Sequence, residues 1–166
     1  GYREPVLLKK LRHHFKKLPQ AHMHTAPASA QMLTFLVQVA QPTCVIEVGT
    51  FIGYSTLAMA LAMPPHGHLI TCDQDAVLAH QAEEWWKKAE VAPRITFHPG
   101  KAIDTLNQLH RQGKKADFFY IDADKRLYET YYEKALEMVE NILAAEPESP
   151  DFLIMKASIL QTLDPD

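Results

Sequence analysis

The sequence predicts a doubly wound α/β domain, a parallel sheet with helices on both faces. Three observations carry that expectation. Short apolar runs rich in β-branched residues recur along the chain. A helix-length segment follows each of them, and the first run ends in glycine just before a helix. Strands and helices alternating at this length make right-handed βαβ crossovers, and hence a parallel sheet.

Residues 5–18 read as an amphipathic helix ending at Leu18-Pro19, and a polar stretch follows over 20–29. Residues 30–40 are apolar nearly all round, which predicts a buried helix, and Pro42 marks a break. Cys44–Val48 is short, apolar and rich in β-branched residues, a buried strand that ends at Gly49. Residues 54–63 return to helix formers, and Pro64-Pro65-His66-Gly67 is a turn. His68–Asp73 is a second strand. Residues 76–90 are helical, with Trp85 and Trp86 on or beside the buried face. A third strand covers 94–98, and the helix over 101–111 carries Ile103, Leu106 and Leu109 at helical spacing. Residues 116–122 make a fourth strand. The helix after it sets Tyr128, Tyr131, Tyr132, Leu136, Val139 and Leu143 along one face.

At 166 residues the chain has the size of a single domain able to bury a real core, and we expect residues 1–166 to form one, with 142–166 divergent. A net charge of −3 is close to balance and argues against nucleic-acid binding. The basic stretch Lys9, Lys10, Arg12, Lys16 and Lys17 reads as the solvated face of the first helix. No apolar run has the length to span a bilayer, and the N-terminus lacks a signal-peptide pattern, so we expect a cytoplasmic protein without a membrane partner. The two cysteines, Cys44 and Cys72, fall in central strands, which predicts buried free thiols in a reducing compartment. His22-x-His24 and His66-x-His68 look like metal pairs, but both lie in loops without partner ligands and read as surface histidines.

In a doubly wound sheet, ligands bind beyond the carboxyl ends of the strands, where strand order reverses. That rule selects residues 47–53, Asp73, Pro99-Gly100-Lys101 and 122–125. Gly49 permits a tight turn and close backbone approach to a ligand, and the helix behind it offers N–H groups to an anion. Asp73 stands where a carboxylate receives ribose hydroxyls in nucleoside-binding folds. The dinucleotide fingerprint G-x-G-x-x-G is absent, because Phe51 occupies the place of its second glycine. This moves the reading from a nicotinamide oxidoreductase toward S-adenosylmethionine (SAM), a nucleoside that carries an amino acid.

Two motifs make the reading specific: Glu47-Val-Gly-Thr-Phe-Ile-Gly-Tyr-Ser-Thr-Leu-Ala and Ile121-Asp122-Ala-Asp124-Lys125. In that order and spacing they resemble the signatures of the caffeoyl-CoA/catechol O-methyltransferase family. Leu18-Pro19, Met23, Pro27, Gln31, Thr71-Cys-Asp73 and Pro99-Gly-Lys-Ala102 are similar to it as well, so the resemblance covers roughly residues 5–141. It implies a Rossmann-like core and a SAM site made by Glu47, Gly49, Thr50, Phe51, Gly53, Ser55, Asp73, Gly100, Ala102 and Asp122. Within that site Glu47, Gly49 and Ser55 would meet the methionine part, Asp73 the ribose, and Ala102 the adenine. It also implies a divalent cation of the magnesium type on Asp122, Lys125 as base or phenol-orienting group, and a small phenolic substrate.

The implied chemistry is coherent. A free phenol has a pKa of about 10 and is mostly protonated at neutral pH. A cation chelated by two adjacent oxygens lowers that value and aligns the nucleophile with the methyl group. A lysine beside a cation is pushed toward its neutral form and can accept the proton.

The chain departs from the family after residue 141. The family has a glycine turn, a fifth strand and an Asp-Asn pair completing the metal site. If residues 152–155 are that strand, Ala157 and Ser158 stand in place of the two ligands. Alternatively Ser149 is an N-cap, Pro150 and Asp151 open a helix, and Phe152, Met155, Ile159, Leu160 and Leu163 form its face. Local signals lean to the helix. Either way the C-terminal strands are missing or replaced, the sheet keeps an exposed edge, and a homodimer is expected. Two functions remain open: an active O-methyltransferase, or a SAM-binding protein without metal catalysis that works as a binding or assembly module.

Magnesium dependence should accordingly be weak or absent, since Asp122 alone leaves one carboxylate for the ion. A magnesium series on catechol methylation, repeated with A157D/S158N, checks this. If residues 152–158 form the strand, the restored pair raises activity and creates metal dependence; in a helix it changes nothing. Robust chelator-sensitive turnover in the unaltered chain contradicts the expectation.

Overall fold

The structure, a computed structural model, describes residues 4–143. Along them run α1 (Val6–His14), α2 (Pro27–Ala40), β1 (Cys44–Val48), α3 (Tyr54–Ala62), β2 (His68–Asp73), α4 (Ala76–Lys88), β3 (Ile95–Pro99), α5 (Ala102–Arg111), β4 (Phe118–Ile121) and α6 (Tyr128–Leu143). The strands form one parallel sheet in the order β3-β2-β1-β4. Winding therefore runs outward from β1 in both directions, and the order reverses between β1 and β4. The two readings of residues 152–158 lie outside the described residues.

β1 is central, and all five of its residues are buried. Its alternate side chains feed opposite faces of the sheet. Ile46 and Val48 join Ile70, Phe119, Leu106 and Met138 beneath α5 and α6. Val45 joins Leu69, Phe118, Leu33, Val37 and Met59 beneath α2 and α3. A third cluster binds α1 through Leu8, Leu11 and Phe15 to Leu57 of α3 and Trp86 of α4. Each fully buried Leu, Ile or Phe contributes about 1.5–3 kcal/mol, so these layers supply the driving force for the fold.

Side chains decide where several elements begin and end. The Asp117 carboxylate accepts from the Thr43 and Cys44 amides, each at 2.9 Å, and from the Thr43 hydroxyl at 2.8 Å. It thereby locks the starts of β1 and β4 together, and β4 opens at Phe118 rather than at 116. Arg94 donates to the carbonyls of Pro64 (3.1 Å) and Ala60 (2.8 Å), tying off α3 and leaving β3 to begin one residue later. Asp75 caps α4 by accepting from the Val77 and Leu78 amides.

Three expectations need correction. The first helix stops at His14, not 18, because tight bonds such as Leu18 N–H to the Phe15 carbonyl (3.0 Å) roll Phe15 into the core. The second helix starts at Pro27, whose fixed φ suits the first helical position, so the polar stretch is shorter than expected. That helix is also not buried all round. Leu33 and Val37 are covered, while Met32, Phe35 and Val39 are exposed, because it packs on α3 and the sheet along one stripe only.

At the reversal point, Gly49 has φ +102°, and a Cβ built there would lie 2.1 Å from the Asp122 carbonyl oxygen. Only glycine lets β1 and β4 end this close. Gly49→Ala should cost about 3 kcal/mol of folding stability through that clash and the strained φ. Urea unfolding measures it, and an unchanged midpoint contradicts the close approach.

Candidate functional site

The turn after β1 and the ends of β2, β3 and β4 surround one cavity of about 540 Å³. Its floor is the glycine turn. Gly49 donates to the Cys72 carbonyl at 2.9 Å, Phe51 takes a positive φ of 47°, and Gly53 (φ 68°) caps α3. A Cβ on Gly53 would stand 2.7 Å from that of Ala82, so this glycine also lets α3 and α4 pack closely.

Asp73 organises the turn. One oxygen, Oδ2, accepts from the amides of Thr50 (2.9 Å) and Phe51 (2.7 Å), and Oδ1 accepts from the Asp75 amide at 2.9 Å. An ionised carboxylate has about four acceptor positions, so one remains for a ligand hydroxyl. Because Asp73 takes two amides of the turn, less anion-binding capacity is left there than the glycine pattern implied.

Glu47 is fully buried and does not line the cavity. Ser55 donates to its Oε1 at 2.6 Å, Thr71 to its Oε2 at 2.7 Å, and Thr56 also donates to Oε2. Thr50 pairs hydroxyls with Thr71 at 2.6 Å. Burial raises the Glu47 carboxyl to about 7, against the lowering effect of the three hydroxyls. Ser55 and Thr50 line the cavity, so Glu47 acts on it from behind them. Sequence reasoning had placed Glu47 against the ligand itself.

The remaining predicted residues divide cleanly. Gly49, Thr50, Phe51, Ser55, Asp73, Gly100, Ala102 and Asp122 line the cavity. Gly53 lies beneath it. Lys125 is exposed and outside its lining, whereas Arg126 lines it. Arg126 grips Asp124 side-on, Nε to Oδ1 at 3.0 Å and Nη2 to Oδ2 at 2.5 Å, and this ion pair lowers the Asp124 carboxyl. Cys44 and Cys72 are buried free thiols as expected, and burial pushes Cys72 up to about 12.

Sequence reasoning missed the loop that walls the cavity, Gln20, His24 and Thr25, and missed Tyr120 beside it. The Thr25 hydroxyl donates to Asp122 Oδ2 at 3.4 Å and lies 3.5 Å from the Tyr120 hydroxyl, which donates to the same oxygen at 3.1 Å. His24 is partly buried, which corrects its reading as a surface histidine. The His-x-His spacing was its one signal.

Asp73, Asp75, Asp122 and Asp124 face the cavity, and Arg126 is the one Lys or Arg among the described residues that lines it. Such a site favours a cationic ligand. Phe51, Ile52, Leu78, Ala102 and Tyr131 give it an apolar wall for a flat ring. These residues fit SAM: a carboxylate for the ribose, an apolar slot for the base, and negative charge for the sulfonium. A metal fits less well. Asp124 is held by Arg126, and no group of three or more His, Cys, Asp or Glu side chains that could hold an ion occurs among the described residues.

Fold and site together define a Rossmann-like α/β domain with a nucleoside-type cavity at its switch point. The sequence profile of the O-methyltransferase family matches residues 1–144, and the chain belongs to that family. Over 168 residues it is 33% identical to a caffeoyl-CoA O-methyltransferase of Stellaria longipes, covering 91% of this chain and 70% of that one. It is 34% identical over 139 residues to catechol O-methyltransferase domain-containing protein 1 of Mus musculus, covering 82% of this chain but 53% of that one. The chain thus spans little more than half of several relatives. Among solved structures, the O-methyltransferase TomG of Streptomyces achromogenes, in complex with SAM, superposes with a TM-score of 0.75 at 26% identity, covering 97% of this chain and 78% of that one. A Bacillus cereus O-methyltransferase shares the fold, with a TM-score of 0.77 at 22% identity over 98% of this chain and 81% of that one.

Glu47 should leave a signature in stability. Its carboxyl is raised in the folded state, so its contribution is complete below the unfolded value of 4.5 and is lost as pH rises through about 7. The loss is on the order of 3 kcal/mol. Unfolding free energies between pH 4 and 8 should show that decline in the wild type and lack it in Glu47→Gln. Equal slopes contradict the burial argument.

Proposed function

We propose that this protein transfers a methyl group from SAM to a phenolic, catechol-like hydroxyl. The observation that carries the reading is the acidic, glycine-floored cavity at the β1/β4 switch point of a chain in this family. Bound SAM supplies a sulfonium-activated methyl group. The protein binds and orients: Asp73 offers its remaining acceptor position to a ribose hydroxyl, and Gly49 lets the end of β4 close in so that Asp122 borders the same cavity. Asp122 and Asp73 hold negative charge near a cationic centre. Met23 and Thr25 form part of the wall over Asp122, where an acceptor ring would sit shielded from water. The names of the relatives, a caffeoyl-CoA O-methyltransferase and a catechol O-methyltransferase domain-containing protein, support a phenolic acceptor. The buried free thiols support a reducing, cytoplasmic setting.

A second reading, SAM binding without metal-dependent catalysis, draws support from the exposed position of Lys125 and from Ala157 and Ser158 in the sequence. Methyl transfer to catechol, assayed with and without chelator, separates the two.

Asp73 tests the cofactor assignment directly. Asp73→Ala should weaken SAM by about 1–3 kcal/mol in a calorimetric titration, since a charged acceptor for ribose hydroxyls is lost. Unchanged affinity removes the nucleoside assignment, and tight binding of NAD in place of SAM would point to an oxidoreductase.

A further inference from the structure

We propose that Tyr120 and Thr25 are positioning residues: their hydroxyls hold one oxygen of the Asp122 carboxylate and leave the other to the hydroxyl of the methyl acceptor. This rests on the methyltransferase reading above. Tyr120 and Asp122 are two residues apart at the end of β4, so their side chains leave the same face of the sheet. The Asp122 amide still bonds to the Val48 carbonyl at 2.8 Å, which carries the strand pairing as far as Asp122. Phe118 and Tyr120 pack with Leu33, Leu36 and Val37 of α2, so the phenol ring is braced from that face. Thr25 arrives from the other direction. It follows the short helical turn Ala21–Met23 and stands two residues before Pro27, where α2 begins. The helix that braces the Tyr120 ring therefore also fixes where Thr25 can reach.

The three side-chain oxygens form a triangle. The Tyr120 hydroxyl donates to Asp122 Oδ2 at 3.1 Å, the Thr25 hydroxyl donates to the same oxygen at 3.4 Å, and the two hydroxyls lie 3.5 Å apart. Each hydroxyl has one proton and a carboxylate only accepts, so both protons go to Oδ2. The third side of the triangle is then a contact between donors already spent. The Tyr120 bond is the shorter and carries more of the hold.

Among the described residues, no donor reaches Asp122 Oδ1. Asp122 and Thr25 line the cavity, while Tyr120 supports them from outside its lining. A carboxylate pinned through one oxygen cannot turn freely, and hydrogen bonds to a charged acceptor are the stronger kind. Asp73 serves the ribose on the reading above, which leaves Asp122 Oδ1 to the acceptor. A phenolic hydroxyl donating there is held in one orientation, and alignment of the nucleophile lowers the barrier. Neither Tyr120 nor Thr25 touches the reacting atoms; both act through Asp122.

The test is a double-mutant cycle on the full chain, read by NMR titration of catechol into protein saturated with S-adenosylhomocysteine. Tyr120→Phe should raise the dissociation constant for catechol about tenfold and Thr25→Val about threefold, because the carboxylate is freed to turn. In an Asp122→Ala background the same substitutions should change it by less than about twofold, since residues acting through one partner lose their effect without it. Thr25→Ser, which keeps the donor, should recover most of what Thr25→Val loses; a threonine needed only for packing would show the reverse order. Losses of equal size with and without Asp122, or tighter catechol binding by Thr25→Val than by Thr25→Ser, overturn the assignment and spare the methyltransferase reading. A loss that falls on S-adenosylhomocysteine instead of catechol places the pair at the cofactor and overturns it too. A wild-type chain that binds S-adenosylhomocysteine but neither binds nor methylates catechol overturns both.

Discussion

The carbonyl of Asp122 lies where a side chain on residue 49 would have to be, and the site depends on that near-contact. β1 and β4 are neighbours because strand order reverses between them, and their carboxyl ends converge without a helix to separate them. The Asp122 amide donates to the Val48 carbonyl at 2.8 Å while the Gly49 amide turns to Cys72 at 2.9 Å. The chain leaves β1 toward β2 at the same level where β4 delivers Asp122. A larger residue at 49 would force the two strand ends apart and carry Asp122 away from Asp73.

From that junction the polarity of the site follows. Acidic residues end β2 and follow β4, and the topology aims both toward one cavity. Like charges held this close repel, and the structure manages them individually. Asp73 is neutralised in part by three backbone amides, Asp124 by Arg126, and Glu47 by burial that favours its protonated form. A cationic ligand relieves what repulsion remains. The same repulsion would disfavour an anionic pyrophosphate, in keeping with the absence of a second turn glycine at Phe51.

Most of the fold was legible because its signals are local. Four apolar strand runs separated by helix-length segments dictate a parallel sheet, and the continuous apolar run of β1 marks a strand buried on both faces without partner information. The errors fall where side chains override local pattern. Asp117 and Arg94 move strand starts by bonding to segments more than twenty residues away, and Phe15 is drawn out of a helical register by the core beneath α1. The exposure of Met32, Phe35 and Val39 was equally out of reach, since an apolar helix cannot tell from its own sequence how many neighbours it has.

For the site, the sequence by itself pointed to the strand ends: Gly49, Thr50, Phe51, Asp73, Ala102 and Asp122 border the cavity. Motif spacing encodes these because each sits at a strand end, and strand ends converge whenever the sheet is doubly wound. Tertiary structure alone decided depth and direction. It put Glu47 behind two hydroxyl-bearing residues, set Arg126 rather than Lys125 along the cavity's edge, and brought Thr25 from a loop ninety-odd positions earlier to the carboxylate of Asp122. Orientation of that kind depends on which side chains neighbouring elements bring within reach, and linear spacing carries no record of it.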